Sequence, residues 1–476
     1  MRPSLVLVAL VTVSLLALSV SAQDSTEKTK MIIEVIRHGA RVPVYPVGSA
    51  DWMKGLQSGD LTNLGLRQHY LLGKELAKRY PEFFGEKLAF DEFYVRSSGY
   101  QRTVNSAIAH LMGIWNHFDP SQLDFADNDI RVLPAAVTMS TTTSFRTPLP
   151  KGYLPDAIHT EDQDQEMLLA PLQSRVCPKM NQLSQKMTDE ISKEMDGKSE
   201  FRSKVEEAAK KYGVTIKSGK SYADYCREMG DFAIQDVRNN PDPVIKPTDD
   251  LYKVLLRCSE GHMMIRYTDV AMKKVVVAEL VKEITTKLKA KAEDKGSLRQ
   301  KYHLYSGHDV TILPLLALVD AADAACYIND FKQTKYTPEC KGFPDTASNL
   351  VFELLSTGSG STVQNFVRMS FNFEPIDACG LKNKDDKFRC PVDKFVQTLT
   401  SKVSQNQAVD CATDKPAPVI PTKKPVSKWR NYAWVVVAVN VALFIALIAI
   451  CTVGNNRKRS NSAVYYIDPN RSSLRS

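Results

Sequence analysis

Residues 31–43 of this chain, which read MIIEVIRHGARVP, decide its fold class. The first six residues are mostly apolar and largely β-branched, a pattern that predicts a short buried strand. The strand ends in a loop with two arginines, one histidine and Gly39, which lets the backbone turn because it has no Cβ. In open α/β sheets, ligands bind where parallel strands end. We therefore expect a binding site at the end of this strand.

Two later segments repeat the order of strand, polar loop and helix. Residues 93–95 predict a second strand, which is followed by RSSGYQRT at 96–103 and by an amphipathic helix. Residues 302–305 predict a third strand, which is followed by SGHD and by an apolar helix over 311–319. This alternation predicts an α/β fold with a Rossmann-like open sheet that is flanked by helices.

The first loop suits phosphoryl transfer. The planar guanidinium groups of Arg37 and Arg41 match the oxygens of a phosphate. His38, held neutral between them, can attack phosphorus because an uncharged imidazole is not repelled by an anionic ester. The second and third loops add another arginine and a carboxylic acid that can protonate a leaving oxygen.

The three loops together resemble those of the histidine acid phosphatases, in particular the animal lysosomal and prostatic branch. The resemblance includes LTNLGLRQHY at 61–70 and covers roughly residues 31–411. It implies the histidine phosphatase fold, with His38 as the nucleophile and Asp309 as the proton donor. It also implies that four side chains bind the substrate phosphate, namely Arg37, Arg41, Arg96 and His308.

Other polar residues near the motifs are interpreted mainly as structural. After Arg96 the chain departs from the family's usual Thr-Asp, with Ser98 and Gly99 in those places. For Arg102, a structural role is favoured over a further phosphate contact. His69 lies on an amphipathic helical pattern and is interpreted as a partner of the core or cleft. A structural or surface position is predicted for His110, His117, His159 and His262.

The sequence shows no pattern of metal ligands. It contains no Cys-x-x-Cys pair, no His-Glu-x-x-His and no Asp-rich loop. Gly-rich phosphate loops of the nucleotide-binding type are absent from it as well. We therefore expect no metal and no organic cofactor.

The net charge of +8 comes from the ends of the chain. The segment 454–476 has five basic residues against Asp468, the segment 412–431 has five against Asp414, and Arg2 adds one more. Residues 23–411 are thus left near −1. A nucleic-acid partner, which overall basicity could suggest, has no support there. The expected partners are small phosphate monoesters.

The two ends of the chain predict its place in the cell. Residues 1–22 combine a basic residue, an apolar run and final small residues, as a cleaved signal peptide does. Residues 432–453 carry no charge and are long enough to span a membrane as a helix. Prolines and lysines predict an extended stalk over 412–431 and leave 454–476 as a short cytosolic tail. We expect a single-pass type I membrane protein whose catalytic part faces the endosomal or lysosomal lumen or the cell exterior.

The chain has nine cysteines, and Cys451 lies in the predicted span. The other eight, in an oxidising compartment, predict four disulfide bonds, for which 105 pairings are possible. Short spacing favours the pairs Cys379–Cys390 and Cys326–Cys340. The resemblance implies a third pair, Cys177–Cys411, which leaves Cys226–Cys258 as the fourth.

Residues 23–411 are expected to form one catalytic unit with a mostly helical insertion, at about 156–261, that caps the strand ends and walls the pocket. The chain is interpreted as a membrane-anchored acid phosphatase that hydrolyses phosphate monoesters through a phosphohistidine and releases an alcohol and inorganic phosphate. Alternatives are a phytase-like or lysophosphatidic-acid-type phosphatase of the same family, and a binding ectodomain without turnover. The sequence leaves open whether the protein forms a homodimer.

Overall fold

The computed structural model describes residues 27–45, 47–48, 50–85, 89–115, 157–173, 175–294, 296–380 and 388–412. The expected signal peptide, membrane span and cytosolic tail lie outside these ranges, as does the expected stalk apart from Ala412. Among the helices in the described ranges, none combines the length and apolar character that a membrane crossing requires.

A mixed β-sheet forms the centre of the described part. Its strands are β1 (Lys28–Arg37), β2 (Phe93–Ser97), β3 (Ile158–His159), β4 (Tyr302–Gly307), β5 (Asn349–Thr357), β6 (Gln364–Phe371), β7 (Glu374–Ile376) and β8 (Cys390–Pro391). In space they follow the order β3-β2-β4-β1-β5-β6-β7, and β8 pairs with β6. Strands β1 to β4 are parallel, whereas the pairs that involve β5 to β8 are antiparallel. The expected α/β sheet is present, and it also has an antiparallel half that the sequence did not predict.

The register of the parallel strands brings the three motifs to one edge of the sheet. Arg37 at the end of β1 pairs with Gly307 at the end of β4. Ser97 at the end of β2 pairs with Ser306 of β4. The loops that follow these three strands therefore begin side by side.

Helices cover the sheet on both faces, because alternate residues of β1 enter two separate cores. Ile33 and Val35 belong to the larger core, and Ile32 and Ile36 to the smaller one. The helices are α1 (Asn63–Arg79), α2 (Pro81–Phe84), α3 (Gln101–Ile114), α4 (Pro178–Asp196), α5 (Ser199–Tyr212), α6 (Tyr222–Asn239), α7 (Asp250–Met264), α8 (Val270–Val276), α9 (Ala278–Glu293), α10 (Asp309–Leu318), α11 (Ala324–Gln333), α12 (Val392–Thr400) and α13 (Gln407–Cys411).

The segment between β3 and β4 is mostly helical. Helices α4 to α7 supply most of the expected insertion, and α7 extends to Met264, past the approximate limit of 261 given for the insertion. Gly261 lies inside α7. A Cβ on Gly261 would lie 2.6 Å from the Cβ of Phe331, so this glycine allows α7 to approach α11 closely.

Four disulfide bonds join cysteines of the described ranges, and they are the four expected pairs: Cys177–Cys411, Cys226–Cys258, Cys326–Cys340 and Cys379–Cys390. The first joins the start of α4 to α13 across 234 residues of sequence. It ties the helical insertion to the end of the described chain.

Candidate active site

The loop after β1 fixes the backbone of His38 firmly. The N–H of His38 donates to the carbonyl of Gly307 at 3.0 Å, and its own carbonyl accepts from the N–H of Ala347 at 3.1 Å. Gly39 is required next to it, because a Cβ there would lie 2.5 Å from the carbonyl oxygen of Gly65. The histidine is thus held against β4 and α1, with only 2% of its surface exposed.

The surroundings of His38 keep its imidazole neutral. Burial, followed by the charges of Arg102 and Arg37, holds the pKa of His38 well below 6.5. Nδ1 lies 2.9 Å from the carbonyl oxygen of Gly39. Because a carbonyl oxygen only accepts hydrogen bonds, we assign the proton to Nδ1. Nε2 then keeps its lone pair, which is the form that a nucleophile needs.

The three expected phosphate-binding arginines are buried, and each contacts a carboxylate. These contacts fix the planes of the guanidinium groups, and the charges of Arg37 and Arg41 also act on His38. The pairs, with their nitrogen–oxygen distances, are Arg37–Asp309 at 2.8 Å, Arg41–Asp231 at 2.8 and 3.2 Å, and Arg96–Glu166 at 2.8 Å.

Asp231 connects the helical insertion to this site. It lies on α6 and, besides Arg41, accepts the backbone N–H of Val44 at 2.8 Å. One turn further along α6, the side-chain oxygen of Gln235 accepts the backbone N–H of Arg41 at 3.2 Å. Sequence reasoning missed both residues, because Asp231 is separated from Arg41 by 190 positions and no motif marks it. The one available signal was two polar residues four apart on the apolar face of an amphipathic helix.

Glu166 was missed as well. Its side chain is buried and accepts the backbone N–H groups of Leu168 and Leu169, both at 3.0 Å, while it contacts Arg96. The acids at 161–164 precede it in the sequence and are exposed. Nothing in the local pattern separates the buried acid from these neighbours.

Ser98 holds His308 in place at the position where the family usually has threonine. Its Oγ lies 2.8 Å from Nε2 of His308 and 2.9 Å from Oγ1 of Thr103. The rings of His308 and His38 meet edge-on, with 5.4 Å between their centroids. Burial, followed by the charge of Arg102, holds the pKa of His308 well below 6.5. Both histidines at the site are therefore neutral.

Asp309 is the first residue of α10 and points towards Arg37. Burial acts to raise the pKa of its carboxyl, but the charge of Arg37, together with that of Arg41 and the hydrogen bond from the backbone N–H of Val310, outweighs this effect and brings it below 3.8. A bound phosphate would compete for Arg37 and so make the proton on Asp309 easier to retain. A carboxyl next to the phosphate site, with a pKa that depends on occupancy, fits a general acid.

A buried polar cluster lies behind the catalytic loop. Glu34 of β1 is fully buried, and its Oε2 accepts from the Tyr302 hydroxyl at 2.8 Å and lies 2.9 Å from Nε2 of His110. Its Oε1 accepts from the Asn349 side chain at 2.7 Å. These contacts outweigh the effect of burial and lower the pKa of Glu34. His110 lies on α3, and its contact with this buried acid of β1 is consistent with the expected structural role.

The other histidines divide as the sequence suggested. His69 contacts the catalytic loop, because its Nε2 donates to the carbonyl oxygen of Arg37 at 3.0 Å, and burial lowers its pKa to about 3. His159 is exposed, and His262 is buried in α7. His117 lies outside the described residues.

One group of potential metal ligands comes together in the described part of the chain: Cys326, Asp330 and Cys340. The two sulfurs are bonded to each other, so neither is available as a thiolate ligand. The group therefore offers a single carboxylate. The expectation that the enzyme needs no metal stays a prediction.

A family model of the histidine phosphatase superfamily, branch 2, matches residues 28–372. The match covers well over half of the chain and contains all three loops. The chain belongs to branch 2 of the histidine phosphatase superfamily. This confirms the family that the sequence motifs indicated.

Relatives and solved structures agree with this assignment. The chain is 26% identical to lysosomal acid phosphatase of Xenopus laevis over 98% of this chain and 95% of the relative. It is 23% identical to prostatic acid phosphatase of Bos taurus over 81% of this chain and 88% of the relative. The phytase of Klebsiella sp. ASR1 matches with a TM-score of 0.51 and 14% identity, over 82% of this chain and 100% of that one. The phosphate complex of Bifidobacterium longum multiple inositol polyphosphate phosphatase matches with a TM-score of 0.55 and 11% identity, over 82% and 96%. The solved structures share the fold.

Proposed function

We propose that this protein is an acid phosphatase that hydrolyses phosphate monoesters through a phosphohistidine at His38. The proposal rests above all on one arrangement, a neutral and buried His38 with buried arginines and Asp309 at the same edge of the sheet. Membership in the histidine phosphatase superfamily and the names of the relatives support it.

The reaction has two steps. In the first, Nε2 of His38 forms a bond to phosphorus, the bond from phosphorus to the ester oxygen breaks, and Asp309 gives its proton to that oxygen. Arg37, Arg41 and Arg96 hold the oxygens of the phosphoryl group and offset their negative charge. In the second step, water attacks phosphorus and gives a proton to the Asp309 carboxylate. Inorganic phosphate leaves and His38 is restored.

A trapping experiment tests the nucleophile. The protein is mixed with ³²P-labelled substrate, quenched rapidly in base, and assayed for bound label, because phosphohistidine survives base and is lost in acid. We expect base-stable, acid-labile label on the wild-type protein. His38→Ala should lose both label and turnover and keep its thermal unfolding transition.

His159→Ala is the matched control, because His159 is exposed at the end of β3, an outer strand of the same sheet. This variant should keep both label and turnover. Label that persists in His38→Ala, or that appears on a serine, would place the nucleophile elsewhere. A folded wild-type protein without turnover on any phosphate monoester would favour the binding-ectodomain alternative.

We also propose that residues 432–453 anchor the enzyme in a membrane, with the catalytic part in the endosomal or lysosomal lumen or at the cell exterior. The lysosomal relative aligns with 98% of the chain and the prostatic relative with 81%. The similarity to the lysosomal relative therefore extends into the end segments of this chain. Expression of a chain that stops at residue 431 should release activity into the medium. The full chain should sediment with membranes after alkaline extraction, and recovery of full-length protein in the soluble fraction would contradict the anchor.

A further inference from the structure

The peptide unit that precedes the Cα of His38 is held at both ends. Its N–H, that of His38, donates to the carbonyl of Gly307, as described above. Its carbonyl, that of Arg37, accepts from Nε2 of His69 at 3.0 Å. A peptide plane with partners at both ends cannot rotate freely, and its orientation sets the direction in which the imidazole of His38 leaves the backbone.

The sheet itself does not supply a donor to the Arg37 carbonyl, because the pairing of β1 with β5 ends here. The N–H of Arg37 donates to the carbonyl of Ser348 at 2.9 Å. In a continuing antiparallel pair, Ser348 would return a bond from its own N–H to the Arg37 carbonyl. Its N–H donates instead to the carbonyl of Asp345 at 3.1 Å. A buried carbonyl needs a donor, and the side chain of His69 takes the place of the missing strand.

The ring of His69 is itself fixed. His69 lies on α1 and is fully buried, and its ring meets that of His110 on α3 edge-on, with 6.1 Å between centroids. His110 is held in turn by its contact with Glu34 of β1. The two helices touch closely beside these rings, because a Cβ on Gly73 of α1 would lie 2.0 Å from the carbonyl oxygen of His110. The donor is thus tied to β1 through a second route.

The protonation state of His69 suits a permanent donor. A carbonyl oxygen only accepts hydrogen bonds, so we assign the proton of the neutral ring to Nε2. Burial, followed by the charge of His110, lowers the pKa of His69 to about 3. The ring therefore stays neutral at any pH well above this value. The hydrogen bond to the Arg37 carbonyl does not change over that range.

We propose that His69 is a positioning residue for the reaction, which aims the imidazole of His38 at phosphorus by holding the Arg37 carbonyl. The inference rests on the proposed function and adds a side chain that does not touch the substrate. The guanidinium of Arg37 is held separately, by Asp309 and by the carbonyl of Pro344 at 2.6 Å. Loss of the bond from His69 should therefore slow the attack and leave phosphate binding nearly intact.

The test compares three variants of His69 with wild type in the full-length protein. Glutamine carries an N–H as many bonds from Cβ as Nε2 of histidine is, asparagine carries it one bond nearer, and leucine has none. We expect kcat for p-nitrophenyl phosphate to fall by about 10- to 100-fold in His69→Leu and His69→Asn, as for a misplaced reacting group. His69→Gln should recover most of this loss. The Kd of inorganic phosphate, measured by calorimetry, should change little in all three variants.

His303→Leu is the matched control. His303 of β4 is also buried, and burial lowers its pKa to about 3. Neither of its ring nitrogens has a hydrogen-bond partner among the described residues. The variant removes a buried histidine of the same sheet without removing a bond to the catalytic loop, so kcat and Kd should keep their wild-type values. Should His69→Leu fail to fold, the contrast between the Gln and Asn variants decides, because both bury the same amide.

Two kinetic results would overturn the inference. One is equal kcat in the Gln and Asn variants, since the place of the donor would then not matter. The other is a parallel loss of kcat and of phosphate affinity with a lowered melting temperature, which would make the role of His69 structural.

A crystal structure of His69→Asn gives a readout that needs no turnover. We expect the peptide unit between Arg37 and His38 to be rotated relative to wild type, and an unmoved peptide would contradict the inference. A wild-type protein that hydrolyses no phosphate monoester would contradict the proposed function, and this crystal structure would still decide whether His69 orients His38.

Discussion

Asp309 has to hold a proton beside two arginines that favour its ionised form. The charges of Arg37 and Arg41 help to bring its pKa below 3.8 in the phosphate-free protein. The carboxyl is therefore protonated only at acid pH and loses its proton as pH rises. Since the donor must start protonated, turnover that depends on it should fall with increasing pH. A rate that falls as pH rises, as the name acid phosphatase implies, is thus expected from this one residue.

The first prediction concerns the substrates that need this proton. An alkoxide is a poor leaving group, whereas nitrophenolate departs with little help, so Asp309→Asn should slow glycerol phosphate far more than p-nitrophenyl phosphate. General acid catalysis typically contributes about 10²- to 10⁴-fold, which sets the expected loss for the alkyl ester. The variant should also lose the fall in rate with rising pH. The measurement is the ratio of kcat/KM for the two substrates across pH.

Arg96→Ala serves as the control for this experiment. It removes a side chain that we propose binds the phosphate, which both substrates share, so it should lower both values of kcat/KM by a similar factor. If Asp309→Asn also lowers both substrates equally, its role is positional or electrostatic, and another group delivers the proton.

The motif residues of the site could be predicted because each follows a strand with a visible apolar pattern. Their partners could not. The chain contains 54 acidic residues, and nothing local distinguishes Asp231 or Glu166 from the others. Their positions result from the packing of distant segments against Arg41 and Arg96.

At the scale of the elements, the loops after β2 and β4 support each other through one hydroxyl. Ser98 bonds His308, and so it fixes the ring that the resemblance assigns to phosphate binding. Ser98→Ala should lower kcat/KM by about fivefold, since a neutral hydrogen bond contributes about 1 kcal/mol. Ser98→Thr keeps the hydroxyl and supplies the family's usual residue, so it should retain activity.

Steady-state kinetics with p-nitrophenyl phosphate separate the two variants of Ser98. Thermal unfolding of both variants shows whether the alanine change acts on the fold. Wild-type kcat/KM in Ser98→Ala would mean that His308 is held by its other contacts. A loss in Ser98→Thr equal to that in Ser98→Ala would show that volume at this position matters and the hydroxyl does not.

Three of the parallel strands could be predicted, but β3, which lies within the expected helical insertion, and the antiparallel half of the sheet could not. β5 is an almost continuous apolar run, and a short run of that kind is compatible with a buried strand or a buried helix. Its pairing with β1 and β6 decides the conformation. The close approach of α7 to α11 at Gly261 was likewise hidden, because it depends on Phe331 of a distant helix.

At the scale of the whole molecule, the disulfide bonds differ in the length of chain that they close. Cys177–Cys411 spans 234 residues and joins the insertion to the end of the catalytic part, whereas Cys379–Cys390 spans 11. The number of cysteines alone could not select these pairs. For Cys177–Cys411, the resemblance to the family supplied the pairing. Only the folded chain brings Cys177 and Cys411 together, with 4.4 Å between their Cα atoms.

The last prediction follows from these lengths. A cross-link stabilises a protein by restricting the unfolded chain, and more so for a longer loop. Replacing Cys177 and Cys411 together by alanine should lower the free energy of unfolding by about 5 kcal/mol, against about 3 kcal/mol for Cys379 and Cys390. Alanine avoids placing a hydroxyl in the buried sites of Cys177, Cys390 and Cys411. Denaturant unfolding of the full-length chain in detergent measures both values. An equal or larger cost for the short loop would mean that local contacts, and not loop closure, set the contribution of these bonds.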